Sequence, residues 1–208
     1  MSSRAARQDD CLLEVQGLTF GYDREAVLRD VDLRIHANDF LAIIGPNGGG
    51  KTTLLRVILG LEKPWRGTIR WRRLPGPGRI GYVPQFSTFD RNFPLALEDA
   101  VLMGRIGRRG MLRRYGREDR AAVAAVLERL KLSPMARAPI ADLSGGQMQR
   151  ALIGRALVAE PDILFLDEPT SSVDAETRTV FTELLTELNR RIPIVVVTHD
   201  VTGVAAQV

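Results

Sequence analysis

One glycine-rich segment constrains the fold of this chain more than any other feature. It reads Gly45-Pro46-Asn47-Gly48-Gly49-Gly50-Lys51-Thr52 and matches the phosphate-binding pattern G-x-x-x-x-G-K-[ST] at every position. The apolar run from Phe40 to Ile44 predicts a buried strand before it, and the residues from Lys51 to Leu59 favour a helix that ends at Gly60. This pattern binds phosphate in the context of strand, loop and helix, so we favour that interpretation over a turn that binds nothing.

The residue types of this segment suit a nucleoside triphosphate. Glycines allow backbone N–H groups to converge on phosphate oxygens, and the start of a helix carries partial positive charge. Lys51 can reach the terminal phosphates, and the Thr52 hydroxyl can bind Mg²⁺. The predicted nucleotide-binding residues of this segment are Gly45, Pro46, Asn47, Gly48, Gly49, Gly50, Lys51, Thr52 and Thr53.

Two adjacent acids follow a second apolar run. Ile163 to Leu166 predicts a buried parallel strand, and Asp167 and Glu168 come directly after it. Two neighbouring carboxylates repel each other unless a cation or a proton lies between them. We therefore predict that Asp167 holds Mg²⁺, directly or through water, and that Glu168 is a general base, in preference to a solvated acidic loop.

Further polar residues follow two other predicted strands. Gln85 follows the strand from Arg79 to Val83, and His199 follows the strand from Ile194 to Val197. Ligands of open α/β sheets bind at the carboxyl ends of strands, so Gln85 lies where a ligand could bind, although a single glutamine is weak evidence, and His199 is the better functional candidate of the two histidines. We expect His36, the other histidine, to be structural because it precedes a turn.

The segment Leu143-Ser144-Gly145-Gly146-Gln147 predicts a second anion site at the start of a helix over 151–159. Ser144 is a good N-cap residue, and the two glycines leave backbone N–H groups open. Taken alone, the segment is equally a plain helix cap. Tyr22 is also open to two interpretations, as a stacking partner for an adenine ring or as the cap of a hairpin.

The remaining patterns predict a mixed fold. Alternation at 31–35 predicts an antiparallel strand beside another at 12–22, and 67–71 is also typical of a strand. Helical periodicity dominates 86–139, with helices expected at 95–103 and 118–131 around an arginine- and glycine-rich stretch. A helix over 175–190 carries an apolar stripe of Val180, Phe181, Leu184, Leu185 and Leu188.

Composition limits the function classes. The 208 residues contain one cysteine, Cys11, which excludes an internal disulfide framework and fits a reducing cytoplasm. The apolar runs are too short to span a membrane, and the chain starts without an apolar run of signal-peptide type. Of the 29 basic residues only Lys51, Lys63 and Lys131 are lysines, which leaves 26 arginines. The basic cluster from Arg105 to Arg120 fits a contact surface and a solvated face equally.

With these motifs in this order, nearly the whole chain resembles the ATPase subunits of ATP-binding-cassette (ABC) transporters. The order along the chain is Tyr22, the phosphate loop (Gly45–Thr52), Gln85, the signature segment 143–147, Asp167-Glu168, the loop 171–174 and His199. The resemblance implies an α/β fold: a P-loop NTPase (RecA-like) core with an N-terminal antiparallel β subdomain and an inserted α-helical subdomain. It implies an ATP-binding core at 1–88 and 140–208 and a helical subdomain at 89–139.

The resemblance also implies a head-to-tail homodimer with ATP and Mg²⁺ between the subunits. ATP held by the phosphate loop of one copy would be clamped by Ser144, Gly145, Gly146 and Gln147 of the other. Glu168 would polarise the attacking water, His199 would contact the γ-phosphate, and Gln85 would sense Mg²⁺.

A finer resemblance concerns the transported substrate. Asn47-Gly48-Gly49-Gly50, Asp90-Arg91-Asn92-Phe93-Pro94 and Val101-Leu102-Met103-Gly104-Arg105 are similar to the ATPases of manganese and zinc importers. This implies a subunit at the cytoplasmic face of the membrane, bound to an integral membrane permease and served indirectly by a periplasmic or lipoprotein metal-binding protein. One cysteine and two distant histidines do not make a tetrahedral site, so we expect ion selectivity to lie in the partners.

Two alternatives share much of this pattern. Iron-chelate importers use a similar ATPase, and some soluble ABC ATPases act on nucleic acid or ribosomes. We expect no nucleic-acid partner, because the chain has one cassette and no basic appendage. The chain ends nine residues after His199, where relatives continue with a strand and a helix, so we expect lower stability than in a complete subunit.

Overall fold

Two β-sheets of different kinds organise the chain. The computed structural model describes residues 10–72, 79–85, 94–109, 114–169 and 175–199. The strands are β1 (Cys11–Tyr22), β2 (Glu25–His36), β3 (Phe40–Ile44), β4 (Arg66–Trp71), β5 (Ile80–Val83), β6 (Ile163–Asp167) and β7 (Ile194–Thr198). The α-helices are α1 (Lys51–Ile58), α2 (Leu97–Leu102), α3 (Ile106–Arg109), α4 (Arg117–Arg129), α5 (Gly145–Leu157) and α6 (Ala175–Asn189). Sequence features at 90–93 and 171–174, and the predicted boundary between 88 and 89, lie outside the described residues.

The first sheet is antiparallel, with the strand order β2-β1-β4. Its β1–β2 hairpin closes at Tyr22 opposite Glu25. The two turn residues, Asp23 and Arg24, both have positive φ (47° and 71°), which matches a two-residue turn to the right-handed twist of the strands. The antiparallel strands predicted from the sequence are therefore confirmed.

The second sheet is parallel, with the strand order β3-β7-β6-β5. Every residue of β6 and β7 is buried, as the continuous apolar runs predict. The prediction of full burial is wrong for β3, whose Ile44 is 47% exposed. Among the described strands β3 pairs only with β7, so one side of it has no neighbour that would cover it.

Side chains alternate between the two faces of the parallel sheet. Phe165, Val195 and Val197 pack on one face with the antiparallel sheet and α1. Leu164, Leu166 and Val196 pack on the other face with α5 and α6. The sheet is therefore the middle layer, and its carboxyl edge is the place where β3, β5, β6 and β7 all end.

The inserted helical segment shares the core of the parallel sheet. Leu97 and Val101 of α2 and Val123 and Leu127 of α4 belong to the same apolar cluster as Leu164. The chain also stays helical further than predicted, because a 3₁₀ turn (Met103–Arg105) and α3 continue α2 into the arginine-rich stretch. The helical segment therefore does not have a separate core.

The helices flanking the sheet agree with the sequence patterns, with one exception. Helix α1 ends before Gly60, whose φ of 73° is the left-handed C-terminal conformation expected there. On α6, Phe181, Leu185 and Leu188 are buried and Leu184 is partly buried, but Val180 is 45% exposed, so its assignment to the core is wrong. In the part of the chain that the structure describes, each helix is too short or too polar to cross a membrane.

Candidate functional site

A polar pocket of about 390 Å³ lies at the carboxyl edge of the parallel sheet. Four segments that follow strands contribute to it: the phosphate loop after β3, and single residues after β5, β6 and β7. Its lining residues are Asn47, Gly48, Gly49, Gly50, Lys51, Thr52, Thr53, Gln85, Glu168 and His199. Residues up to 152 positions apart in sequence, from Asn47 to His199, thus meet because parallel strands end at one edge.

The glycine loop has the backbone that its sequence predicts. Gly48 and Gly50 have φ of 77° and 82°, in the left-handed region that glycine adopts without strain. A Cβ atom on Gly50 would lie 3.0 Å from side-chain carbons of both Val27 and Leu28. Residue 50 is therefore confined to glycine by the β1–β2 hairpin as well as by its own conformation.

The ammonium group of Lys51 lies inside the loop. Its Nζ donates hydrogen bonds of 2.9 Å to the backbone carbonyls of Gly45 and Pro46 and lies 3.5 Å from Glu168 Oε1. The side chain is only 8% exposed. A buried cation enclosed by a glycine loop and a helix N-terminus is a site for an anion.

Asp167, at the end of β6, is almost fully buried and receives two hydroxyl groups. Thr52 Oγ1 donates to Asp167 Oδ1 at 3.0 Å, and the Tyr82 hydroxyl lies 3.5 Å from Oδ2. Burial raises the pKa of Asp167, an effect that the hydrogen bond from Thr52 partly offsets. Burial, followed by the nearby charge of Asp167, raises the pKa of Tyr82 to about 12.

The oxygen atoms around Asp167 are the donor types that Mg²⁺ accepts. A carboxylate and a hydroxyl can supply part of an octahedral shell, with water and phosphate oxygens supplying the rest. Tyr82 belongs to no sequence motif, and its place on the strand that leads to Gln85 is the signal by which it could have been found. The described part of the chain, this pocket included, contains no group of three or more His, Cys, Asp or Glu residues that could hold a metal ion by themselves.

Glu168 faces two nitrogen groups across the pocket. Its Oε2 lies 2.5 Å from His199 Nδ1, a distance at which an Nδ1–H group donates to the carboxylate. Its backbone has a φ of 49°, uncommon for a residue with a side chain, and its N–H donates to Val197 O at 2.8 Å. This conformation turns the carboxylate back over the sheet edge, toward Lys51 and His199.

The signature segment lies at the start of α5, outside the lining of this pocket. Ser144 caps α5: its Oγ accepts from the Gln147 N–H at 3.3 Å, and its own N–H donates to Gln147 Oε1 at 2.8 Å. The Gln147 carbonyl oxygen is thus already bonded, while Gly145 and Gly146 are partly exposed. A single chain does not bring Ser144, Gly145, Gly146 and Gln147 to the phosphate loop.

Tyr22 lies at the end of the hairpin that packs against the loop. It is 41% exposed, and its ring meets Phe20 edge-on at 5.1 Å. Val27 and Leu28, from the facing strand, contact Gly50. Tyr22 does not line the pocket, so hairpin capping and adenine stacking both stay open. His36 makes a turn contact, its N–H donating to Asp39 Oδ2 at 2.7 Å.

Comparison with known proteins agrees with this geometry. The profile of the ABC transporter family matches residues 28–171. The high-affinity zinc uptake system ATP-binding protein ZnuC of Bacillus subtilis (strain 168) is 38% identical over 195 residues, covering 91% of this chain and 84% of the relative. The manganese transport system ATP-binding protein MntB of the same organism is 40% identical over 193 residues, covering 90% and 76%.

A solved structure shows the same fold. An inward-facing putative metal-chelate type ABC transporter is 33% identical, with a TM-score of 0.86 over 95% of this chain and 76% of the other. The predicted α/β fold with its P-loop core is confirmed by this agreement. On these matches and on the phosphate loop with its acidic pair, the chain belongs to the ABC transporter family and is an ATP-binding ATPase of that family.

Proposed function

We propose that this chain is the ATP-hydrolysing subunit of an importer for a transition metal ion, with Zn²⁺ or Mn²⁺ as the cargo. The observation that carries the ATPase role is the meeting of Lys51, Thr52, Glu168 and His199 in one pocket. The cargo is supported by the relatives, whose names give zinc uptake and manganese transport.

We assign phosphate binding, magnesium binding and proton transfer to different residues at this site. Lys51 and the loop N–H groups bind the β- and γ-phosphates, and the N-terminus of α1 adds its dipole. Thr52 and Asp167 would hold Mg²⁺, with Gln85 sensing the ion, and the ion would neutralise phosphate charge. Glu168 would accept a proton from the attacking water, and His199 would orient that carboxylate through its Nδ1–H and contact the γ-phosphate through its other ring nitrogen. Tyr22 would stack on the adenine ring.

Two copies of the chain complete each site. The N-terminus of α5, with Ser144, Gly145 and Gly146, is an anion site outside the pocket lining of its own chain. A second copy turned head to tail would bring this terminus to the γ-phosphate. ATP would then join the copies, and hydrolysis would separate them.

The permease would bind the helical segment, which we assign to 89–139, with the ATP-binding core at 1–88 and 140–208. A groove of about 260 Å³ lies between α2 and α4. Its floor is apolar (Leu102, Val123 and Leu127) and its rim carries charged side chains, among them Asp99 and Arg120. Such a groove fits an amphipathic helix, and it would hold the subunit at the cytoplasmic face of the membrane.

The groove can be tested without touching the ATP site. Ala124 is exposed and lines the groove, whereas the next residue, Ala125, is exposed and lies outside its lining. Ala124→Arg should abolish co-purification with the permease and leave the ATP affinity of the isolated chain unchanged. Ala125→Arg is the matched control. If both variants lost co-purification with the permease equally, or if neither lost it, the groove would not be the permease-binding site.

The ATPase mechanism is tested by Glu168→Gln. The amide keeps the shape but cannot accept the proton, so turnover should fall about 10²–10⁴-fold while ATP binding persists. Pairing of the chains in ATP should become stable enough to measure by sedimentation. Glu128→Gln, the same change at an exposed position on α4, is the control. Near-normal turnover in Glu168→Gln would refute the general-base assignment.

The metal-chelate transporter structure favours a second cargo, a metal bound to an organic chelator. Uptake by the reconstituted importer separates the two proposals. ATP-dependent uptake of Zn²⁺ or Mn²⁺ supplied as the free ion supports our assignment. Uptake that requires the ion bound to a chelator supports the alternative.

A further inference from the structure

Gln149 is a buried amide without a role in the site described so far. It lies on α5, one helical turn after Gly145, and its side chain is 3% exposed. Neither its Nε2 nor its Oε1 has a hydrogen-bond partner in the described part of the chain. A buried unpaired polar group lowers the stability of a fold, and such groups are uncommon in native proteins.

The surroundings of Gln149 are apolar. Leu152, Ile153 and Ala156, which share its face of α5 by helical spacing, all belong to the apolar cluster under the parallel sheet. A leucine or methionine would fit such surroundings without an unpaired amide. The fold of the single chain therefore gives no stability reason for glutamine at this position.

Helix α5 links the regions that the proposed nucleotide-driven pairing would move. Its N-terminus carries Ser144, Gly145 and Gly146. Arg150, next to Gln149, donates to Leu130 O of the helical segment at 3.1 Å. The helix also packs against β5, the strand that leads to Gln85. A shift of α5 would thus move Gln149 relative to the pocket.

If α5 runs antiparallel to β5, against which it packs, the helical and strand rises bring Gln149 level with the end of β5. The C-terminal end of α5 lies near the start of β5, where the Asp162 N–H donates to Arg79 O. Gln149 precedes Leu157 by two helical turns, about 12 Å. A strand covers the same distance in roughly four residues, which reaches from Ile80 to Val83. The main chain that follows is Pro84 and Gln85.

We propose that Gln149 is a positioning residue for closure of the nucleotide-bound dimer. Its amide has no partner within the described part of the single chain, and it pairs with the main chain at Pro84 and Gln85 when nucleotide draws two copies together. The amide carries both donors and an acceptor, which complements a peptide group. The inference rests on the proposed pairing of two copies. In the closed dimer this contact would connect α5, which begins at the signature segment, to the main chain at Gln85.

The test compares Gln149→Leu and Gln149→Met with Met148→Leu, a control in the same helical turn that removes no hydrogen-bonding group. Removing an unpaired amide should raise the melting temperature of the nucleotide-free chain by about 2–4 °C. In the Glu168→Gln background, ATP-driven pairing should weaken about tenfold, the effect of one or two lost hydrogen bonds. ATP affinity of the unpaired chain should not change.

Three results would overturn the proposal. Lower melting temperatures, or failure of both variants to fold, would show that the amide is paired in the resting chain, for example with buried water. A raised melting temperature with unchanged pairing would show that the amide has no role in closure. If Glu168→Gln with Gln149 intact did not pair in ATP, the proposed dimer itself would fail, which distinguishes the two failures.

Discussion

At the scale of single residues, the ammonium group of Lys51 has three partners within its own chain. Two loop carbonyls accept its hydrogen bonds, and Glu168 lies 3.5 Å away. Lys51 has three N–H donors, and Gly45 O and Pro46 O accept two of them, so the third can donate to a phosphate oxygen. Such a charge-assisted hydrogen bond is stronger than one between neutral groups, which favours phosphate binding.

Lys51→Ala should weaken ATP binding about 10- to 100-fold, the effect of losing a charge-assisted hydrogen bond. Titration calorimetry with ATP and Mg²⁺ measures this. Lys63→Ala removes an exposed lysine away from the pocket and should bind normally. Unchanged affinity in Lys51→Ala would remove the residue from phosphate binding.

Asp167 makes stability depend on pH. Burial raises its pKa above the ordinary 3.8, so the folded chain holds this proton more tightly than the unfolded chain. Its contribution to the free energy of unfolding is therefore largest below that ordinary value and falls as pH rises through the raised pKa. Asp167→Asn cannot lose the proton. Its melting temperature, relative to the original chain without nucleotide, should increase from pH 4 to pH 7. A difference that stays constant with pH would contradict this.

At the scale of elements, a buried ion pair holds the helical segment together. Arg105 Nε lies 3.0 Å from Asp119 Oδ1, and Arg105 Nη1 donates to Val158 O at the end of α5. Asp119 is completely buried and also caps α4 through the Gly116 N–H. The basic cluster from Arg105 to Arg120 was predicted to be a contact surface or a solvated face. Arg105 is neither, because it is buried and paired inside the protein. Arg114, Arg117 and Arg120 remain exposed.

Asp119→Ala should lower the free energy of unfolding by about 3–5 kcal/mol, because Arg105 loses its buried carboxylate partner and keeps only the largely exposed carboxylate of Glu160. Urea unfolding measures the loss. The double variant Arg105→Leu/Asp119→Leu should recover most of it, since apolar residues can replace a buried pair. If the double variant were as unstable as Asp119→Ala, lost packing and not the unpaired charge would explain the lower free energy of unfolding.

At the scale of the whole molecule, the shared apolar cluster couples the helical segment to the parallel sheet. Leu127 of α4 and Leu164 of β6 belong to one cluster. The ion pair Arg129–Glu187 also joins α4 to α6, but it is partly exposed, so it adds little. Apolar packing therefore dominates the coupling, and we expect the chain to unfold in one transition.

Leu127→Ala should destabilise the whole chain by about 2–5 kcal/mol, through lost packing in a buried site. Both tryptophans, Trp65 and Trp71, lie outside the helical segment. Tryptophan fluorescence and helical circular dichroism should therefore shift together. Loss of helical signal before the fluorescence change would show that the helical segment unfolds independently.

Local sequence patterns determined much of this protein by themselves. The phosphate loop predicted the left-handed glycines Gly48 and Gly50, because that backbone depends on the absence of a Cβ atom. The apolar runs before Glu168 and His199 predicted strands, because buried strands need apolar side chains on both faces. From these the carboxyl-edge pocket could be anticipated, including its lining by Gln85.

Tertiary structure alone decided which distant residues meet and which faces are covered. Thr52 bonds Asp167 across 115 positions of sequence because strand order places α1 beside β6. The partial exposure of Ile44, the exposure of Val180 and the burial of Arg105 depend on neighbouring elements that no local pattern specifies. Periodicity shows which side chains share a face, but the energy of burial depends on what that face meets, and for Gln149 the closed assembly supplies that partner.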